Sequence, residues 1–421
     1  MAPENWNPDM EELNNRRVER YLKRQAENQK KRKKKLMMLI TFAALAVFGM
    51  AALFFLLRAE KAPEPETPRV TTSSEETPKD ATVIHLVAAG DVNVTDAIVA
   101  SGGAEYDYTD TFLDVAHLLA DGDLTILNFE GNLCGSPYGD TTKSAPQSMV
   151  QALDRAGVDI IQLANSYSIN QGISGLQATI KSVKEAGMEP LGVYADERAY
   201  KAGKGYLIQE VQGVRIALVA FTKGMDGMTL PQGSEHCVNV LYEDYDSTYQ
   251  KLNRERINDV LDKIASEKPD LTVAMLHWGS EYNDTISDTQ EDVVKLLQAG
   301  GVDAIIGTHP HYVHEMTYDP ESGNFVAYSL GDFISNGTRS GTEYSVVLNL
   351  EITKSGNSTK ITGYSYTPIF TVAEKGKPLR CVRIAETMAA YDSNYIKRVN
   401  ESTYSAMEYA LTRIEARVAG E

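Results

Sequence analysis

Cysteine is nearly missing from this chain: three thiols, Cys134, Cys237 and Cys381, in 421 residues. Their number and wide spacing exclude a disulfide framework and a cysteine-built structural zinc site, and leave room for one disulfide at most. Basic charge is also in deficit, with 41 Lys and Arg against 58 Asp and Glu and a formal charge of −17. The deficit is uneven. Residues 1–35 carry 11 basic against 6 acidic side chains, so the rest of the chain carries about −22. An acidic body argues against a nucleic-acid partner, because phosphate binding needs basic patches. Apolar residues at 43% and charged ones at 24% exclude a wholly disordered or fibrous chain.

Charge of either sign is absent from residues 36–57 (LMMLITFAALAVFGMAALFFLL). At a rise of about 1.5 Å per residue this stretch spans the roughly 30 Å hydrocarbon core of a bilayer. Residues 30–35 (KKRKKK) precede it, and only Arg58 and Lys61 stand close behind. The positive-inside rule then puts the N-terminus in the cytoplasm and everything after Leu57 outside. The run is too long and its leader too extended for a cleaved signal peptide. The sequence therefore predicts a single-pass cell-membrane protein: basic cytoplasmic tail 1–35, transmembrane helix 36–57, a linker at 58–80 rich in Pro, Ser, Thr and Glu, and an extracellular folded domain.

That domain repeats a short apolar run, a turn and an amphipathic stretch. The runs are 83–89, 124–127, 158–163, 214–221, 271–276, 302–306 and 325–330. Helical spacing appears at 174–186 before Gly187, at 250–267, and at 288–299 before Gly300-Gly301. Alternation of this kind predicts an α/β fold with substantial parallel pairing. Residues 344–352 and 360–366 alternate like antiparallel strands joined at 355–358, and a helical extension over 385–421 closes the chain.

The chemistry stands where the runs end: Gly90-Asp91, Asn128-Phe129-Glu130, Asn165-Ser166-Tyr167, His277-Trp278-Gly279-Ser280-Glu281, Gly307-Thr308-His309-Pro310-His311 and Gly331-Asp332. In a parallel sheet such strand ends line the edge where ligands bind. Taken singly, each has a structural explanation: a hydrogen-bonded loop histidine, a core imidazole, or a turn carboxylate. Together they bring imidazoles and carboxylates to one region, a donor set that suits zinc, manganese or iron and that activates water or clamps phosphate.

Read in order, Gly90-Asp91, Asn128-x-Glu130, Leu163-Ala164-Asn165, His277-Trp278-Gly279-x-Glu281-Tyr282, Gly307-x-His309-Pro310-His311 and Tyr328-Ser329-Leu330-Gly331-Asp332-Phe333 resemble the CapA family. These are poly-gamma-glutamate capsule synthesis proteins, related to the calcineurin-like metallophosphoesterases. The resemblance runs over residues 83–333. It implies a layered α/β/β/α sandwich over 81–384, holding one or two divalent ions (manganese, zinc or iron) or none. The implied metal residues are Asp91, Glu130, Asn165, His277, His309 and His311, with Asn128, Tyr167, Glu281 and Asp332 touching substrate or supporting the ligands. The implied role is synthesis, attachment or export of an anionic capsule polymer, with that polymer and other capsule-synthesis membrane proteins as partners. A metal-dependent envelope phosphoesterase and a non-catalytic polymer- or partner-binding scaffold are the alternatives.

The chain departs from the family in the third block. Where the family usually reads Ala-Asn-Asn-His and then Asp, this chain has Ser166 for the second Asn, Tyr167 for the His and Asn170 for the Asp. Asp332 also stands where Asn is usual. Serine is a poorer ligand than the amide, and tyrosine cannot supply a proton near neutral pH as imidazole does. The scaffold carries over; catalysis does not carry over at this block.

Overall fold

The computed structural model describes residues 69–71, 81–335, 338–374, 377–393 and 399–421. The stretches read as cytoplasmic tail and transmembrane helix, and most of the one read as linker, lie outside the described residues. Among the described residues no helix is long and apolar enough to cross a membrane.

The apolar runs become strands of two sheets. The first sheet opens with β1 (Arg69–Thr71), β2 (Thr82–Asn93), β3 (Leu124–Glu130), β4 (Ile160–Gln162) and β5 (Glu189–Leu191). The second holds β6 (Leu207–Val211), β7 (Val214–Thr222), β8 (Leu271–His277), β9 (Ala304–Thr308), β10 (Met316–Tyr318) and β11 (Phe325–Ala327). The chain then returns to the first sheet with β12 (Asp332–Ile334), β13 (Tyr344–Ser355), β14 (Ser358–Val372) and β15 (Arg380–Arg383). The first sheet runs β1-β14-β13-β2-β3-β4-β5, with β12 on β2 and β15 on β14; the second runs β10-β11-β9-β8-β7-β6. Pairing is parallel through β2–β5 and through β7, β8, β9 and β11.

Side-chain parity assembles the layers, because successive residues of a strand point to opposite faces. Ile216, Leu218 and Ala220 of β7, with Val273 and Met275 of β8, join the main core shared with the first sheet. Their neighbours Ala217, Val219, Phe221, Ala274 and Leu276 pack instead with Ile257, Val260 and Leu261 of helix Arg254–Glu267 and Val293 and Leu297 of helix Asp288–Ala299. On the first sheet's side, Met149, Val150 and Leu153 of helix Gln147–Ala156 and Leu176 and Val183 of helix Gly172–Ala186 enter the main core. The result is a mixed α/β fold of two sheets.

Several details differ from the sequence reading. The stretch read as linker supplies β1, which pairs antiparallel with β14. The run 325–330 is two things: β11 stops at Ala327, and the next residues cross to the other sheet. The last helix, Glu401–Val418, is no appendage, since Met407, Ala410, Ile414 and Val418 are buried in the main core. The cysteines do not differ: all three are free thiols, the reading that their spacing favours.

Candidate metal centre

Each sheet contributes one kind of ligand-type side chain. Asp91 in β2, Glu130 ending β3 and Asp332 starting β12 are carboxylates of the first sheet; His277 ends β8, and His309 and His311 follow β9 in the second. All six are buried, and they sort into two groups, Glu130–His277–His309 and Asp91–His311–Asp332. Within each group the ligand-type atoms lie within 4.8 Å of one another.

Asn128 stands between the groups. Its amide donates to Asp91 Oδ1 at 2.6 Å and lies 3.4 Å from both Glu130 Oε1 and His277 Nδ1. Asn165 braces it, donating to Asn128 Oδ1 at 3.1 Å and to Phe129 O at 2.7 Å, while its own Oδ1 accepts the Tyr167 N–H at 3.0 Å. Asn165 thus spends its amide and its oxygen on protein partners. Ser166 Oγ sits 3.0 Å from His277 Nε2, and Thr308 Oγ1 lies 3.2 Å from His277 Nδ1. The His309 N–H donates to Asp91 Oδ2 at 3.0 Å, and His311 Nδ1 meets Asp332 Oδ1 at 2.7 Å. His309 and His311 are held at φ of 96° and 62°, backbone that side chains rarely adopt and that costs about 1–3 kcal/mol per residue.

The donors fit a cation. Both ring nitrogens of His309 are buried without a hydrogen-bond partner, an expensive state for an imidazole that ligates nothing. Burial pushes the Asp91 carboxyl up to about 6 against the pull of His311. Burial, with Asp91 adding to it, holds Glu130 well above the usual range. Burial pushes His277 and His309 well down, with His311 and Lys223 adding to it for His277, and His277, Lys223 and His311 for His309, so both stay neutral, the form that binds metal. His311 goes the other way: burial lowers it, but Asp332, Glu130 and Asp91 together raise it to about 10. Buried carboxylates that resist ionising together are relieved by a bound positive charge.

Tyr167 and Glu281 line a polar cleft that reaches His311 and Asp332, and burial keeps the Tyr167 hydroxyl neutral far beyond its ordinary range. Tyr282 stacks on the His311 ring at 4.9 Å. Searching strand ends for metal ligands misses Lys223, just past β7. Its Nζ donates to Gly279 O at 2.7 Å and lies 4.8 Å from the Tyr249 ring, and its charge helps keep His277 and His309 neutral. From the final helix, Arg417 pairs with Asp284 at 2.9 Å and lies over the Tyr312 ring at 4.6 Å, touching both loops that flank the cleft.

A family model for the bacterial capsule synthesis protein PGA_cap matches residues 85–337. The chain is similar to the capsule biosynthesis protein CapA of Bacillus anthracis, 28% identical over 218 residues, or 51% of this chain and 49% of that protein. It therefore spans about half the length of that relative. It is also similar to the PGA biosynthesis protein CapA of Bacillus subtilis (strain 168), 24% identical over 315 residues, covering 72% of this chain and 74% of the relative. Among solved structures, the calcineurin-like phosphoesterase YfkN from Bacillus subtilis aligns with a TM-score of 0.42 at 16% identity, covering 79% of this chain and 99% of that one. A hypothetical protein from Thermus thermophilus aligns at 0.40 and 17%, covering 68% and 98%.

Proposed function

The chain belongs to the bacterial capsule synthesis protein family PGA_cap, and from that membership we propose that it acts outside the cell, anchored by residues 36–57, in the synthesis, attachment or export of an anionic capsule polymer. The observation that carries the reading is the pair of buried ligand groups inside the matched segment, at the edge where parallel strands end. Glu130, His277 and His309 are the residues to hold one divalent ion, and Asp91, His311 and Asp332 a second. Such ions polarise phosphoryl or carbonyl oxygens and lower the pKa of bound water. The protein's own part is positional. Asn128 and Asn165 fix Asp91 relative to His277, and Tyr167 offers a neutral hydroxyl at the cleft.

Deleting the gene in the native host tests the proposal. Surface polymer should fall, return with the full chain, and stay low with His309→Ala or with residues 36–57 removed. Unchanged polymer after deletion overturns it.

Hydrolysis within that role is a second reading, favoured by the polar cleft whose lining includes His311 and Asp332. Full polymer restored by a His309→Ala chain that has lost its metal points instead to a non-catalytic scaffold.

A further inference from the structure

The cleft over His311 and Asp332 has a volume of about 160 Å³. That is near the ~150 Å³ of an engineered cavity that takes up benzene, so it accepts one chemical group and not several polymer units. Two cations from separate loops line it. The Lys143 ammonium lies 3.2 Å from Asp140, 3.2 Å from Val94 O and 4.8 Å from the Tyr167 ring. The Arg339 guanidinium, at the exposed rim, lies 3.9 Å from the Tyr282 ring, which itself stacks on His311. Of the carboxylates in the lining, Asp140 is engaged by Lys143 and by the Asp96 N–H at 3.0 Å, and Asp332 by His311; Glu281 stands at the exposed edge.

We infer that this cleft is the subsite for a single oxyanion group of the substrate, carboxylate or phosphate, and that Arg339 is the residue that reads its charge, with Lys143 behind it. The inference rests on the metal-centre reading above. Beyond residue 35 the chain carries about −22, so an anion approaching it meets repulsion over most of the surface. Arg339 at the exposed mouth offsets that repulsion where a substrate has to enter, while the Lys143 charge behind it is shared with Asp140. Contact with the Tyr282 ring at 3.9 Å holds the guanidinium at the cleft, and a planar fork of donors suits the paired oxygens of carboxylate or phosphate.

The experiment is calorimetric titration of the full chain, loaded with manganese, with inorganic phosphate and separately with a glutamate oligomer; a glutamine oligomer is the uncharged control. One anion should bind and the glutamine oligomer should not. Arg339→Ala should weaken binding at least about tenfold, the loss expected for one charge-assisted hydrogen bond. Arg339→Lys should recover part of the loss, and manganese content should be unchanged in both variants. Phosphate binding alone marks a phosphoester group, and oligomer binding alone a carboxylate. Equal affinity in Arg339→Ala, equal binding of the glutamine oligomer, or no binding of either anion by the manganese-loaded chain overturns the subsite and leaves the metal reading standing. If the unmodified chain holds none of manganese, zinc and iron, the metal reading fails and the subsite falls with it.

Discussion

Gly90 and Gly331 cross so closely that a Cβ on Gly90 would stand 1.8 Å from the Gly331 carbonyl oxygen, the same oxygen that accepts the Asp91 N–H at 3.0 Å. The crossing sets Asp91 beside Asp332, its Cα partner in β12, and leaves no space for a methyl group. Gly90→Ala must push β2 and β12 apart. The expected cost is about 3 kcal/mol, at the upper end for overpacking, and is read as a lower urea midpoint with metal content falling alongside. An unchanged midpoint contradicts the account.

His309→Ala should separate metal binding from folding. Its ring nitrogens make no hydrogen bond that the substitution can break. The metal-free variant should therefore unfold within about 2 kcal/mol of the metal-free parent, the cost of a partly collapsed cavity. Elemental analysis should show its metal content lost. Full metal retention in the variant rules His309 out as a ligand.

Metal uptake should be coupled to protons. In the metal-free protein Asp91 keeps its proton up to about pH 6, burial holds Glu130 protonated well above its ordinary range, and His311 keeps its proton up to about pH 10, whereas ligation needs both carboxylates ionised and the imidazole neutral. Manganese affinity should rise between pH 5 and 7, by up to about tenfold per pH unit for each proton released. The stability sign follows. The folded pKa of Asp91 exceeds its ordinary 3.8, so its contribution is present below about pH 4 and is lost as pH rises through about 6. The increase in Tm caused by manganese should grow across the same window. An affinity that is flat from pH 5 to 7 counts against Asp91 and Glu130 as ligands.

Phosphoesterase turnover by the unmodified chain should be weak. Ser166 Oγ stands 3.0 Å from His277 Nε2, and Tyr167 lines the cleft. The double change Ser166→Asn and Tyr167→His therefore puts an amide beside the Glu130 group and an imidazole at the cleft. With manganese supplied, the variant should gain activity on a phosphodiester, on the order of 10²-fold if the imidazole acts as general acid. Robust hydrolysis by the parent, abolished by His309→Ala, shows instead that Tyr167 is no handicap.

Much of the centre was legible because a strand buried on both faces reads as an unbroken apolar run whose end marks the sheet edge. The runs at 124–127, 271–276 and 302–306 lead into or lie inside β3, β8 and β9, and Glu130, His277 and His309 stand where those strands stop. A run does not name its sheet, however, so the division of carboxylates and imidazoles between two sheets was hidden. The strands β1, β5 and β12 are three residues each, too short to carry a period. Asn165 looks like a ligand in the sequence, but only the folded positions of Asn128 and Phe129 reveal that its amide is already committed. Lys223 ends its run without a carboxylate or an imidazole, so a search for metal donors passes over it.

The contacts of Arg417 also say something about the order of assembly. They tie Asp284 and Tyr312 to a residue of helix Glu401–Val418, while every ligand-type residue of the two groups lies at or before Asp332. During synthesis all the donors are therefore made before the piece that pins their flanking loops. The loops reach this restraint only when helix Glu401–Val418 has been made and has docked, so a nascent chain can present ligand-type side chains early but cannot hold the entrance in its folded shape.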